Sequence, residues 1–149
     1  MLRSSLAIAI IAAVAAVLLL LRNSRERSES ALIVGMSGNI ELEGVAAALL
    51  DDEEFLTGAV RKACSRGNLT IIDLKAHSFS PIGVSVVAIL AESHISVHTW
   101  PERRYAALDI FTCGQYSNPR VAVQAIIDEL DPLHNFQTWQ QRGPTKIRN

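Results

Sequence analysis

The sequence predicts an α+β fold, a two-layer sandwich of one antiparallel sheet with two helices on one face, preceded by an N-terminal hydrophobic helix. Two observations predict it. Short segments rich in β-branched and apolar residues follow one another with brief connections, and amphipathic helical patterns stand before and after them. The strand segments are residues 70–74, 84–90, 95–99 and 105–112.

Two segments carry the helical pattern. The first spans about residues 52–65, where apolar side chains such as Leu56 and Val60 recur at helical spacing after an acidic start. The second begins at Asn118 and Pro119, which favour a helix start, and ends near residue 131. Both helices are therefore expected to bury one apolar stripe against the sheet.

The two ends of this region are predicted to be less regular. Residues 31–36 form an apolar run that predicts a short strand. Turn-forming residues follow at once, so we expect a loop at residues 37–39. The tail beyond residue 132 is polar and is expected to be loose.

The N-terminal segment differs in kind from the rest. Residues 6–21 are an unbroken run of Ala, Val, Ile and Leu, with one arginine before it and three soon after it. This pattern predicts that residues 1–22 anchor the protein in a membrane, with a polar linker at 23–30 and a domain at 31–149 kept in the cytoplasm by the flanking arginines. A cleaved signal peptide is the alternative, although the flank lacks the usual small-residue cleavage pattern.

Composition limits the classes of function. With 149 residues, 49% of them hydrophobic, and a net charge of -1, the chain has room for one compact domain and lacks the excess of basic residues that nucleic-acid binding needs. The two cysteines have no spacing suited to zinc or to a disulfide framework. We therefore expect no metal and no nucleic-acid partner.

A hydroxyl, an imidazole and a thiol lie close together in the sequence. Residues 91–102 read Ala-Glu-Ser-His-Ile-Ser-Val-His-Thr-Trp-Pro-Glu, and Cys113 follows in Phe-Thr-Cys-Gly. Each of these residues alone is more often structural than catalytic. The whole run, however, closely resembles the self-processing site of S-adenosylmethionine decarboxylases of the bacterial and archaeal type.

The resemblance implies a carboxy-lyase that makes its own cofactor. Autocatalytic cleavage between Glu92 and Ser93 would convert Ser93 into a pyruvoyl group, which forms a Schiff base with the substrate amine and replaces pyridoxal phosphate. The substrate implied is S-adenosylmethionine, and the product, S-adenosylmethioninamine, enters spermidine and other polyamine synthesis. Family members of this length also imply a homodimer of processed protomers, with the pocket near the subunit interface.

The resemblance also assigns roles to individual residues. His98 would be the proton acceptor in processing, a task suited to imidazole near neutral pH, and Ser85 a second processing residue. Cys113 would be the proton donor in decarboxylation. Phe79 would stack on the substrate's adenine, and Glu102 would bind its ribose hydroxyls.

The spacing of the candidate residues along the strand predicts where their side chains point. Ser93 and His98 are five residues apart, so a regular strand would point them to opposite faces, and we expect a bend or bulge to bring them together. The neighbours His94 and Ser96 are interpreted as structural.

Other functions remain open from the sequence. Residues 34–39 and Val86 depart from the family pattern near the pocket. A pyruvoyl-dependent arginine or ornithine decarboxylase, or a non-catalytic membrane-tethered regulatory partner, are therefore the alternatives.

Overall fold

The computed structural model of the chain describes residues 11–23 and 33–144. Residues 11–23 form helix α1. The compact unit Val34–Arg142 contains all other elements. In chain order these are β1 (Gly35–Glu43), α2 (Ala47–Leu50), α3 (Glu53–Arg66), β2 (Ile71–Ser78), β3 (Val84–Leu90), β4 (Ser93–Trp100), a 3-10 turn (Pro101–Arg103), β5 (Tyr105–Cys113), α4 (Pro119–Leu130) and β6 (His134–Arg142).

The six strands form one antiparallel sheet in the order β2-β3-β4-β5-β1-β6. Helix α3 packs on β2 and β3, and α4 packs on β1 and β5. The core lies between this helix layer and the sheet, where alternate residues of each central strand are buried, as in β3 at positions 84, 86, 88 and 90. The predicted two-layer α+β fold is confirmed.

Local sequence signals explain the helix boundaries. The Asp52 carboxylate accepts a hydrogen bond from the Phe55 N–H, 2.9 Å away, and so caps the start of α3. In α4 the Asn118 side chain accepts from the Val121 N–H, and Pro119 occupies the first turn, where its missing N–H costs nothing. Both predicted helices are confirmed within about one residue at each end.

The sheet is larger than the sequence predicts, because β1 runs through the predicted loop. Gly38 lies in the middle of this strand, and a Cβ atom there would come within 2.6 Å of the Trp139 ring on β6. Glycine is therefore needed for the close approach of an indole ring and does not mark a turn.

The predicted loose tail is also wrong. Residues 134–142 form β6, which pairs with β1 along its whole length. Most of its side chains are exposed, so the strand shows no alternation of apolar and polar residues. Its stability comes from backbone pairing and from Trp139, which packs against the core and under the Arg120 guanidinium, 4.4 Å from the ring centroid.

The membrane anchor predicted at residues 1–22 is contradicted. Within residues 11–23 and 33–144, no helix is both long and apolar enough to cross a bilayer. Helix α1, as described, measures about 20 Å, against a hydrocarbon core of about 30 Å. The prediction of a membrane-anchored protein is therefore wrong. Residues 1–10 of that segment and residues 24–30 of the linker lie outside the described residues.

Candidate active site

The Glu92–Ser93 bond lies at the tip of the β3–β4 hairpin. Leu90 and Ser93 are paired across the two strands, so Ala91 and Glu92 form a two-residue turn. Ser93 has a backbone φ of 141°, a region that side-chain-bearing residues rarely adopt. Such a conformation costs about 1–3 kcal/mol and must be held by its surroundings. The bond that the resemblance implicates is therefore strained on its serine side.

Hydrogen bonds hold this turn on both sides. The Glu92 carbonyl oxygen accepts from the Cys113 N–H at 2.9 Å and from the Cys113 thiol at 3.1 Å. The Glu92 carboxylate accepts from the Thr70 N–H at 2.9 Å, and the Ala91 N–H donates to the Thr70 carbonyl at 2.9 Å. Two donors that converge on one carbonyl oxygen are the arrangement that stabilises negative charge developing there.

The hydroxyl of Ser93 contacts a histidine, although not the one that the resemblance indicates. Its oxygen lies 3.1 Å from Nδ1 of His94. Within residues 33–144 no hydrogen bond joins Ser93 to His98.

His98 is instead paired with Ser85. The two residues are directly opposite each other on β4 and β3, and the Ser85 hydroxyl oxygen lies 2.6 Å from His98 Nδ1. Together they border a cleft of about 300 Å³. The fold thus brings four of the sequence-predicted residues to one place: the cleft is lined by Phe79, Ile82, Ser85, His98, Thr99, Trp100 and Glu102.

A second histidine positions the aromatic wall of this cleft. Phe79 is 51% exposed, and its ring meets the ring of His77 edge to face, with 4.6 Å between centroids. About half of the Phe79 surface is therefore exposed at the cleft.

The predicted bend between Ser93 and His98 is absent. Strand β4 pairs with β3 and β5 in unbroken register from residue 93 to residue 98. Five residues of extended strand span about 17 Å. A single chain therefore carries two separate groups, the Ala91–Glu92 turn with Cys113 at one end of β4 and the cleft with His98 at the other.

The two cysteines have contrasting environments. Cys64 of α3 is buried, and this burial, together with the negative charge of Glu92, raises the pKa of its thiol to about 11. Cys113 is partly exposed, and its thiol contacts the Glu92 carbonyl oxygen. Cys64 is thus a packed helix residue, and Cys113 is the accessible thiol.

Comparison with known proteins identifies a family whose model covers most of the compact unit Val34–Arg142. The family model described as S-adenosylmethionine decarboxylase matches residues 38–143. An S-adenosylmethionine decarboxylase proenzyme of Parasynechococcus marenigrum is 42% identical over 116 residues, which cover 77% of this chain and 91% of that protein. One from Methanococcus aeolicus is 51% identical over 83 residues, covering 56% of this chain and 71% of that protein.

A solved structure extends the likeness to the fold. The crystal structure of the adenosylmethionine decarboxylase from Aquifex aeolicus superposes with a TM-score of 0.73 at 34% identity, covering 79% of this chain and 98% of that one. The fold and the matched relatives define an enzyme of the carboxy-lyase class. The chain belongs to the S-adenosylmethionine decarboxylase family.

Sequence reasoning missed two features of the site. From the sequence, His94 was interpreted as structural, whereas its Nδ1 lies 3.1 Å from the Ser93 hydroxyl oxygen, at a serine with an unusual φ. The anchoring of Glu92 depends on the backbone of Thr70, and a backbone donor leaves no signal in the sequence. The adjacency of Ser93 and His94 was the one available clue.

Proposed function

We propose that this protein decarboxylates S-adenosylmethionine to S-adenosylmethioninamine for spermidine and polyamine synthesis, using a pyruvoyl group that it makes by autocatalytic serinolysis at Glu92–Ser93. The observation that carries the proposal is the scissile turn itself. A serine in a strained conformation follows a carbonyl whose oxygen accepts two hydrogen bonds from Cys113. That carbonyl is polarised for attack by the adjacent hydroxyl.

The cleavage begins with an acyl shift. The Ser93 hydroxyl oxygen bonds to the Glu92 carbonyl carbon, the peptide C–N bond breaks, and the nitrogen keeps the proton lost by the hydroxyl. An ester results, and the negative oxygen that forms on the way is stabilised by the Cys113 donors. Loss of the Ser93 α-proton then breaks the bond between Cβ and the ester oxygen, so residue 92 leaves with a free α-carboxylate at its new C-terminus. Residue 93 is left as dehydroalanine, and water converts it into the ketone with release of ammonia. His98 is the acceptor proposed for the α-proton.

The surroundings of residue 93 suit a pyruvoyl group. It would begin β4 beside the partly exposed Cys113 thiol. Such a group supplies a ketone that accepts the electrons left when carbon dioxide departs. Cys113 holds a proton at Sγ for the substrate's α-carbon, while Phe79 stacks on the adenine and Glu102 accepts hydrogen bonds from the ribose.

The two separated groups support a homodimer. The sheet face opposite the helices carries His98 and Cys113 at its two ends and exposes apolar side chains between them, among them Val87, 39% exposed, and Ile89, 53% exposed. Two such faces can pack against each other about a twofold axis that is perpendicular to the strands. This rotation reverses the strand direction, so the Ser93 end of one copy would lie opposite the His98 end of the other. Analytical ultracentrifugation measures the oligomeric state, and a protein that is monomeric there and fully active at the same concentration would contradict this assembly.

The intact mass of the purified protein under denaturing conditions tests the proposal. We expect two fragments of about 10 and about 6 kDa in place of the 16.2 kDa chain, divided after residue 92. The smaller should be lighter by one ammonia than a peptide that begins with serine, because its first residue is a ketone. An uncut chain after prolonged incubation would contradict the proposal and favour a non-catalytic protein.

Phe79→Ala separates the adenosyl substrate from a smaller amino acid. Loss of a base-stacking ring is expected to raise KM for S-adenosylmethionine about tenfold to hundredfold, with cleavage at Glu92–Ser93 unchanged. Arginine or ornithine has no ring to stack. Carbon dioxide release from each substrate is the measurement.

The matched aromatic control is Tyr116→Ala. The Tyr116 side chain is 78% exposed and does not line the cleft, so the KM of this variant should equal that of the wild type. Carbon dioxide release from arginine or ornithine alone, insensitive to Phe79→Ala, would instead identify a pyruvoyl-dependent decarboxylase of a smaller amino acid.

A further inference from the structure

The hydroxyl that starts the proposed cleavage lies against an imidazole. The Ser93 oxygen and the His94 Nδ1 are 3.1 Å apart, within the reach of about 2.6–3.2 Å that direct proton transfer requires. A serine hydroxyl is a weak nucleophile unless a neighbouring base takes its proton. His98, on the other hand, is hydrogen-bonded to Ser85 about 17 Å along the same strand.

We propose that His94 is the catalytic base that activates Ser93 for the acyl shift. This inference rests on the proposed self-cleavage and assigns a first proton transfer that is separate from the later one at the α-carbon. Nδ1 of His94 takes the hydroxyl proton as the Ser93 oxygen bonds to the Glu92 carbonyl carbon. The same nitrogen returns the proton to the leaving amide nitrogen when the C–N bond breaks, so the imidazole ends unchanged.

Neighbouring side chains hold the imidazole in this position. His94 is directly opposite Phe111 in the β4–β5 pairing, and the two ring centroids are 6.3 Å apart. The Phe111 ring is held in turn by the Arg142 guanidinium, 5.2 Å from its centroid. The His94 side chain is exposed on the sheet face, and its contact with the Phe111 ring restrains the imidazole beside the serine.

The carbonyl under attack is fixed by different residues. The Cys113 N–H and thiol bind its oxygen, and Thr70 holds the Glu92 carboxylate. The base, the nucleophile and the charge-stabilising donors thus come from separate elements that meet at the hairpin tip. This is the set of parts that an acyl transfer needs.

The experiment follows cleavage of freshly synthesised full-length chains with and without hydroxylamine, which splits esters and leaves peptide bonds intact. In His94→Ala the chain should stay uncut and resist hydroxylamine, with the cleavage rate reduced by about 10²–10⁴. His98→Ala, blocked at the later step, should accumulate an ester that hydroxylamine splits. His134→Ala, an exposed histidine at the start of β6, is the matched control and should cleave at the wild-type rate.

Two further measurements separate base catalysis from a role in folding. His94→Asn keeps a side chain able to hydrogen-bond near Ser93 but not to act as a base, and should be as slow as His94→Ala. Added imidazole should accelerate cleavage of His94→Ala. Wild-type rates in either variant, or a rapidly formed ester in His94→Ala, would overturn the role of His94 while leaving self-cleavage intact. An uncut wild-type chain would overturn both.

Discussion

Ser93→Ala is expected to remain a single chain of 16.2 kDa under conditions in which the wild type is completely cleaved. The methyl side chain has no oxygen to bond to the Glu92 carbonyl carbon, and no other hydroxyl occupies that position on the hairpin. The hydrogen bonds that join Glu92 and Ala91 to Thr70 and Cys113 do not use the Ser93 side chain and are retained in the variant. The loss should therefore be complete, and intact mass over several days measures it.

Ser96→Ala is the control for this variant. Ser96 lies on the same strand three residues further on, with its side chain half-buried and away from the scissile turn. It should cleave at the wild-type rate. A break after residue 92 in Ser93→Ala would mean that an external nucleophile cuts the chain and that the strained serine plays no chemical part.

Cys113→Ala is expected to separate cleavage from turnover. The variant loses the thiol but keeps the backbone N–H, which lies 2.9 Å from the Glu92 carbonyl oxygen and is the stronger of the two donors. Cleavage should therefore go to completion, about tenfold more slowly, since loss of a full oxyanion donor costs about 10²–10³ and a thiol donates weakly. Decarboxylation should fall by about 10²–10⁴ because the substrate's α-carbon loses its proton donor.

Cys64→Ala provides the matched thiol control. Cys64 is buried in α3 and its thiol, with a pKa raised to about 11, stays protonated near neutral pH. Iodoacetamide should modify Cys113 alone in the folded protein, and activity should fall in step with that modification. Full activity in a protein whose Cys113 is alkylated, or an uncut Cys113→Ala chain, would contradict this division of roles.

The sequence predicted the elements whose side chains face a core. β3 has the predicted bounds, and α3 and α4 are placed within about one residue, because burial imposes the periodicity that a sequence reveals. β1 was predicted only in part, because its glycines, which read as turn residues in the sequence, accommodate Trp139 and Thr112 at close range. β6 was not predicted, because an exposed edge strand is held by backbone pairing and shows no apolar pattern in its sequence.

The candidate site was predicted in composition and not in geometry. Resemblance named Phe79, Ser85, His98 and Glu102, and these residues line one cleft. It did not reveal that the cleft is distant from Ser93, because the regular register of β4 is a property of the pairing with β3 and β5. The contact between Ser93 and His94 depends on a single backbone angle, which no residue type specifies.

The order of strands decides what a cut at residue 92 would do to the molecule. β1, β2 and β3 precede the cut and β4, β5 and β6 follow it, yet β1 lies between β5 and β6 in the sheet. The strands of the two pieces are thus interleaved in one sheet. Separating the pieces would break three ladders of backbone hydrogen bonds, those between β3 and β4, between β5 and β1, and between β1 and β6. Folding must come first and cutting second, since neither piece holds a contiguous sheet. Once cut and unfolded, the protein could refold only if two separate fragments associated. Cleavage would therefore turn a folding reaction of one chain into one that depends on the concentration of both fragments.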